Sequence, residues 1–270
     1  MNPDNQHSVT LSVSHLSASY QRIPVLTDIS LCVRSGEVVC LSGPNGSGKS
    51  TLLSLMAGIV PEGLSITSGS SSCALFCGTL LSSMNRKVAA RRIAYMIQDE
   101  QTAWNYTARD IILTGRYAHT AAGNYSDSDY ETTERIISET GIESLAGRRV
   151  FSLSGGEMQK IRIARALAQE PDILLLDEPA ANLDFSYQSE LLSLIRHLAH
   201  DCGLGVLVTI HDLNMASRFG DTIALLPKNS QIISGTPQEV FTEQHLSAAY
   251  GVPFGIFMHP SYGCPQAYTK

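Results

Sequence analysis

No apolar run in this 270-residue chain approaches the roughly 20 residues that span a bilayer, so any membrane crossing would have to come from another chain. The start, Met1-Asn2-Pro3-Asp4-Asn5-Gln6-His7, has neither a basic n-region nor an apolar h-region, and no secretory leader is read there. Positive charge is also scarce. With 19 Lys and Arg against 25 Asp and Glu, the formal net charge of -6 argues against a nonspecific hold on nucleic acid, which needs clustered cations. Of six cysteines only Cys73 and Cys77 lie close together, in Cys73-Ala74-Leu75-Phe76-Cys77. That spacing puts both thiols on one face of a strand, and no second cysteine or histidine pair follows, so they read as free thiols without a metal. Internal repeats, long heptads and linkers rich in Pro or Gly are lacking as well, which leaves no boundary between independent modules.

What is present is an ordinary globular composition, 43% hydrophobic and 16% charged, with ample material for a core. From Ser8 to Arg34 apolar residues alternate (Val9, Leu11, Val13, then Ile29, Leu31, Val33). This predicts antiparallel strands with turns at Gln21-Arg22-Ile23-Pro24 and Ser35-Gly36. Ser65 to Ser72 reads as a loop, and Cys73 to Cys77 as a resumed strand. The cations Arg86, Lys87, Arg91 and Arg92 read as the solvated face of a helix, followed by a strand at Ile93–Ile97. Helical patterns dominate from Thr107 to Gln169, broken by a polar stretch at Gly123–Asp129. Strand and helix then alternate: Ile173–Leu176, Ser189–Ala199, Gly205–Ile210, Leu213–Phe219 and Thr222–Leu226. Such alternation argues for a parallel α/β core, here interrupted by a helical insertion.

The stretch Gly43-Pro44-Asn45-Gly46-Ser47-Gly48-Lys49-Ser50-Thr51 fits G-x-x-x-x-G-K-[ST]. An apolar run, Val38-Val39-Cys40-Leu41, precedes it and a helical pattern follows, the strand–loop–helix setting that the motif requires. Gly43, Gly46 and Gly48 let successive N–H groups converge on a polyphosphate, backed by the positive end of a helix dipole. Lys49 would reach the β- and γ-phosphates and Ser50 would hold Mg²⁺. The run Ile173-Leu174-Leu175-Leu176-Asp177-Glu178-Pro179 closes four apolar residues on two acids. A strand buried on both faces delivers such acids at its C-terminal edge, where Asp177 suits the Mg²⁺ and Glu178 could polarise an attacking water. In Leu153-Ser154-Gly155-Gly156-Glu157, Ser154 as N-cap and Glu157 at N3 make a capping box, and the two glycines make a second anion-binding helix start. Two such starts and one acidic pair invite head-to-tail pairing of two copies. Tyr20 is either a half-buried strand-end residue or a base-stacking one; His211 caps a strand end or sits among core residues as readily as it binds a ligand.

The phosphate loop, Gln98, the Leu153–Glu157 signature, Asp177-Glu178-Pro179, Asn182-Leu183-Asp184 and His211 occur in the order of the ABC ATPases, and from about residue 8 to 250 the chain resembles that family. The resemblance implies an α/β P-loop core with an antiparallel β subdomain (8–97 and 171–250), an inserted helical subdomain (98–170) and a C-terminal tail (251–270). It implies ATP with Mg²⁺ as ligands. Tyr20 matches the aromatic that stacks on adenine, Gln98 the glutamine that senses Mg²⁺ and the attacking water, and His211 the group that touches the γ-phosphate and orients Glu178. Ser154, Gly155 and Gly156 would meet ATP held by the other subunit of a homodimer, and Asp184 would lie in the loop crossing that interface.

Thr114-Gly115-Arg116-Tyr117-Ala118-His119 is similar to a Gly-Arg-x-Pro-His segment of the ATPases serving importers of ferric siderophores, haem and vitamin B12, with Ala118 in place of the proline. His211–Asp221 and the end from Ser234 through Tyr250-Gly251-Val252 are similar to the same subgroup, whereas Asn229-Ser230 replaces a tight-turn glycine. The resemblance implies a peripheral subunit on the cytoplasmic face of the inner membrane of a bacterium or archaeon, with membrane permease partners and, indirectly, a solute-binding protein. Another solute, or export, is the alternative; a soluble ABC ATPase acting on nucleic acid or ribosomes is disfavoured by the missing coiled coil and basic patch.

Overall fold

A computed structural model of the protein describes residues 9–67, 74–98, 104–181 and 183–270. Cys73 and Asn182 lie outside the described residues. The chain opens with β1 (Thr10–Tyr20) and β2 (Ile23–Arg34), then β3 (Val38–Ser42), α1 (Lys49–Met56), β4 (Leu64–Ile66), β5 (Leu75–Phe76) and β6 (Thr79–Leu80). Next come α2 (Arg86–Arg92), β7 (Ile93–Met96), α3 (Ala108–Thr114), a 3-10 turn at Gly115–His119, α4 (Asp127–Glu139) and α5 (Gly155–Leu167). The second half holds β8 (Ile173–Leu176), α6 (Phe185–His200), β9 (Gly205–Thr209), α7 (Leu213–Phe219), β10 (Thr222–Leu225) and β11 (Ile233–Gly235). It ends with α8 (Pro237–Val240), α9 (Glu243–Tyr250), β12 (Phe254–Met258) and β13 (Pro265–Thr269).

One sheet runs β11-β10-β3-β9-β8-β7, parallel throughout except for the antiparallel edge strand β11. Its central strands are apolar runs because both of their faces are covered, and the two-residue period sorts each run between two cores. Val38, Cys40, Leu174, Leu176, Val206 and Val208 face the helical side. Val39, Leu41, Ile173, Leu175 and Leu207 face α1 and the antiparallel sheet formed by β1, β2, β4, β5 and β6. The α3–α5 segment packs on the first core and constitutes the helical subdomain, so a parallel α/β core interrupted by a helical insertion, as expected from the sequence, is the architecture observed.

The differences from the sequence reading are local. The first turn is only Gln21-Arg22, both left-handed (φ 47° and 71°), and Ile23-Pro24 already belong to β2. Two positive-φ residues match the twist of long paired strands, so the hairpin needs no longer loop. Ser65 lies in β4, paired with Ser19, instead of in a loop. Cys77 is exposed in a left-handed turn between β5 and β6, so the expected shared strand face for two thiols is not formed. Helix α2 has no buried residue, yet its cations are used: Lys87 Nζ donates to Thr120 O (3.0 Å), Arg91 Nε to Ala118 O (2.9 Å), and Arg92 pairs with Asp172. The C-terminal tail folds into the hairpin β12–β13 and docks on α7, where the Asn214 side chain brackets the backbone of Ala267 and Ser217 Oγ donates to Pro265 O (2.6 Å).

The two sheets meet at the start of β9. A Cβ on Gly205 would stand 2.7 Å from Arg34 O at the end of β2 and 2.5 Å from the Ile173 side chain. Close backbone approach is a reason for glycine in a strand. Gly205→Ala is therefore expected to cost about 1–3 kcal/mol through overpacking. A denaturant midpoint equal to wild type would show that this joint is looser than its distances.

Candidate functional site

The phosphate loop connects β3 to α1 at the C-terminal edge of the parallel sheet. A Cβ at Gly43, whose φ is 153°, would collide with the Leu226 carbonyl just past the end of β10, so only glycine fits. Gly48 (φ 98°) is the left-handed N-cap of α1 and supplies no side-chain acceptor; the helix also has no acid in its first turn. Its leading N–H groups are left for an outside anion. Lys49 is buried to 6% exposure, and its Nζ donates to Gly43 O (2.9 Å) and Pro44 O (3.3 Å). Burial pushes its ammonium below the ordinary range, and the carboxylates of Glu178 and Asp177 pull it back up. Ser47 Oγ is buried with no hydrogen-bond partner. An orphan hydroxyl, uncapped helix amides and a lysine satisfied only by loop carbonyls together form a cradle that fits a polyphosphate.

A cavity of about 370 Å³ opens beside the loop, lined by Asn45, Gly46, Lys49, Ser50, Gln98, Glu178 and His211. Three elements of the sheet edge converge there. Glu178 follows β8 with φ 49°, a left-handed position that aims its carboxylate into the cavity mouth. Gln98 Nε2 donates to Glu178 Oε2 (2.6 Å), and His211 Nε2 lies 2.5 Å from Glu178 Oε1. Both carboxylate oxygens are thus held by polar side chains from neighbouring elements at a half-buried position. Asp177 is almost fully buried, at 3% exposure. With Ser50 and Gln98, its carboxylate would supply hard oxygen donors of the kind that suit Mg²⁺.

Thr209 at the end of β9 is the residue that the sequence did not flag. Its hydroxyl donates to Asp177 Oδ1 (2.9 Å) and accepts the Glu178 N–H (2.6 Å), so one buried group fixes both acids. The available signal was its position: a polar residue closing an apolar run two residues before His211.

The other sequence-predicted residues lie apart from this cavity. Thr51 sits within α1, and Tyr20 ends β1, packed near Gly63. Ser154 caps α5; its N–H donates to Glu157 Oε2 (2.7 Å), and Glu157 Oε1 accepts from Arg148 (2.7 Å). The backbone N–H of Ser154 first, then its hydroxyl and the Arg148 guanidinium, hold the Glu157 carboxyl below the usual range. That stabilisation is present at neutral pH and is lost as pH falls through the lowered value. A Cβ on Gly156 would stand 2.8 Å from the Tyr187 ring, and Gly155 approaches Leu183, so the signature rests against the first turn of α6. Asp184 caps that helix through Tyr187 N (3.0 Å), and this N–H together with the Ser186 hydroxyl lowers its carboxyl. Ser154, Gly155 and Asp184 are exposed and Gly156 is buried beneath Tyr187, and none of the four lines the cavity at the phosphate loop of the same chain.

The model of the ABC transporter family matches residues 26–181. The chain is 35% identical over 266 residues to the hemin import ATP-binding protein HmuV of Bordetella bronchiseptica, covering 94% of this chain and 96% of that one. It is 35% identical over 255 residues to the cobalamin import ATP-binding protein BtuD of Halobacterium salinarum, covering 94% of this chain but only 62% of that relative's length. Among solved structures it is similar, with TM-score 0.79 and 26% identity, to a chain of an inward-facing transporter assigned to the metal-chelate type of ABC transporters, covering 97% of this chain and 98% of that chain.

Thr209→Val keeps the shape but orphans the Glu178 N–H. It is expected to cost about 1–3 kcal/mol of stability and to lower nucleotide turnover with affinity near wild type. Equal denaturation midpoints and equal turnover would remove Thr209 from the site.

Proposed function

The chain belongs to the ABC transporter family, and on that premise we propose that it is the ATP-binding and ATP-hydrolysing subunit of an importer for a metal chelate of the ferric siderophore, haem or cobalamin class. One observation carries the ATPase reading: Lys49, Ser50, Gln98, Glu178 and His211, from four separate stretches of sequence, line a single cavity. The cavity is walled by the phosphate loop, Gln98, Glu178 and His211 of this chain, while its own signature residues stand elsewhere. A second copy supplying Ser154, Gly155 and Gly156 would complete the site, with Asp184 at the interface.

In the proposed reaction Lys49 leaves the Gly43 and Pro44 carbonyls for the β- and γ-phosphates of ATP, and the free amides of α1 bind the same oxygens. Tyr20 stacks on the adenine. Glu178, its two oxygens held by Gln98 and His211, accepts a proton from the attacking water. Mg²⁺, held by Ser50, Asp177 and Gln98, would neutralise charge on the phosphates. Binding of ATP between two copies favours the closed dimer and hydrolysis releases it, because the two states differ in their contacts to the γ-phosphate.

The solute class is supported by relatives named for hemin and cobalamin import and by the similar metal-chelate type structure. Among the described residues no helix is long and apolar enough to cross a membrane. The proposed location is the cytoplasmic face of the inner membrane, peripheral, on permease subunits that make the crossing, with a solute-binding protein acting through them.

Glu178→Gln is expected to retain ATP binding, to lose turnover by about 10²-fold or more, and to accumulate as an ATP-bound dimer in size-exclusion chromatography. Wild-type turnover in this variant would remove Glu178 as the base. Lys49→Ala should weaken nucleotide binding itself; unaltered affinity would contradict the phosphate-loop assignment. A mild-detergent pull-down from native membranes tests the transport reading. A polytopic permease in the eluate supports it, and a ribosomal or DNA-associated partner instead would overturn it.

A further inference from the structure

The segment Gly115-Arg116-Tyr117-Ala118-His119 does not line the nucleotide cavity, yet it is tied by hydrogen bonds to α2, to α4 and to the end of α5. Arg116 is buried to 5% exposure. Its Nε donates to Asp129 Oδ1 (3.0 Å) on α4, and its Nη1 reaches both Ala168 O (2.8 Å) and Glu170 Oε2 (2.8 Å) just past the end of α5. His119 Nε2 lies 2.9 Å from Gln169 O, the next carbonyl. The last carbonyls of a helix lack intrahelical partners and carry the negative end of its dipole, so a guanidinium is well placed there. Glu170 holds a left-handed conformation (φ 52°) that glycine would adopt at no cost, and its other oxygen accepts from Arg135 of α4 (2.8 Å). A Cβ on Gly115 would collide with the Arg165 carbonyl, so the turn lies directly on the α5 backbone. On its opposite side the turn is anchored to the core by Lys87 and Arg91 of α2, through Thr120 O and Ala118 O.

The two ends of α5 are therefore held differently. The C-terminal end is locked by an ion cluster, buried at Arg116 and Asp129 and half-exposed at Glu170, that is tied to α2 and stands just before β8, the strand that leads into Asp177 and Glu178. The N-terminal end has Ser154 and Gly155 exposed and rests on α6 through the Tyr187 ring and the surface pair Lys160–Glu190 (2.8 Å). Thirteen helical residues place the signature about 20 Å from the lock.

We propose that Arg116, with His119, forms a tertiary C-cap that makes the end of α5 the fixed pivot about which the helical subdomain turns, so that Arg116 is a positioning residue for the signature. The proposal rests on the ATPase reading for its catalytic readout only. With the pivot fixed, a small rotation driven by nucleotide at the cavity becomes a defined displacement of Ser154–Gly156 while the acids stay in register. Without it, α5 can shift as a whole and the signature loses its fixed relation to the acids.

The test uses the full chain and Arg116→Met, which keeps the aliphatic stem and removes every bond that Arg116 makes to the cap, leaving only the His119 contact to Gln169. Hydrogen–deuterium exchange of wild type with and without ATP is expected to alter amides at 153–157 and to leave those at 166–171 unchanged. In Arg116→Met the 166–171 amides should lose protection, and kcat should fall on the order of tenfold with nucleotide affinity near wild type. Asp129→Asn leaves the bonds to Ala168 and Glu170 available; it should lower thermal stability and largely keep kcat. Should Arg116→Met fail to fold, Glu170→Ala cuts the cluster at its half-exposed edge and gives the same readouts. Exchange at 166–171 that responds to ATP as strongly as at 153–157, wild-type kcat in Arg116→Met, or losses of stability and kcat in parallel in both variants would overturn the pivot. A wild-type protein that hydrolyses no ATP would defeat the ATPase reading alone, since protection at 166–171 still decides whether the cap exists.

Discussion

A parallel strand covered on both faces has no place for a charge until it leaves the sheet, and this constraint shapes the whole molecule. Val38–Ser42, Ile173–Leu176 and Gly205–Thr209 are buried along their full lengths. Polar chemistry is therefore displaced to the residues immediately after them: the phosphate loop, Asp177-Glu178, and His211 just beyond. Because the strands are adjacent and parallel, those three exits lie side by side. The site is a consequence of the packing rule more than of any single loop.

Displacement to the edge brings its own electrostatic problem, since two acids and one lysine meet in partial burial. The fold answers it by giving each charged group internal partners. Lys49 leans on loop carbonyls, Asp177 on the Thr209 hydroxyl, and the Glu178 carboxylate on Gln98 and His211. The Ser47 hydroxyl and the leading amides of α1 are the groups left without an acceptor. An orphan buried hydroxyl costs free energy comparable to a lost hydrogen bond, and the protein tolerates it at the place where an incoming phosphate would supply the acceptor. The same logic sets the two opposing influences on Lys49: burial pushes its ammonium below the ordinary range, and the two acids it faces oppose that shift.

Much of this was legible in the sequence because strong local signals coincided with global ones. The apolar runs gave β3, β8 and β9 nearly to the residue, and the loop motif lay between a strand and a helix as required. What stayed hidden depended on contacts between distant positions. Thr209 carries no motif; its importance comes from lying across from Asp177 on the neighbouring strand. Ser65 reads as loop by composition, but β4 forms because Tyr20, Ser19 and Ala18 offer an open edge. Cys77 was misplaced because a two-residue turn can be made from Cys-Gly as well as from the commoner Asn-Gly. The final hairpin was read as a tail since its order comes from Asn214 and Ser217, which read as ordinary helix residues.

The same distinction separates two meanings of the Gly-Arg-x-x-His segment. In the sequence it served as a mark of resemblance, with no physical content of its own. In the fold each of its residue types is required by a contact: glycine because the α5 backbone lies against it, arginine because one helix-end carbonyl and two carboxylates converge on it, and histidine because the next carbonyl remains. The position between Arg116 and His119 that carries a proline in the resembling subgroup is Ala118, whose carbonyl accepts from Arg91. A carbonyl is common to alanine and proline, so this anchor to α2 survives the substitution. Tyr117, 61% exposed, is the one residue of the turn directed outward. The turn therefore constrains the inside of the subdomain while leaving its outer face free to vary, which is why the motif speaks more directly about how α5 is held than about what solute is carried.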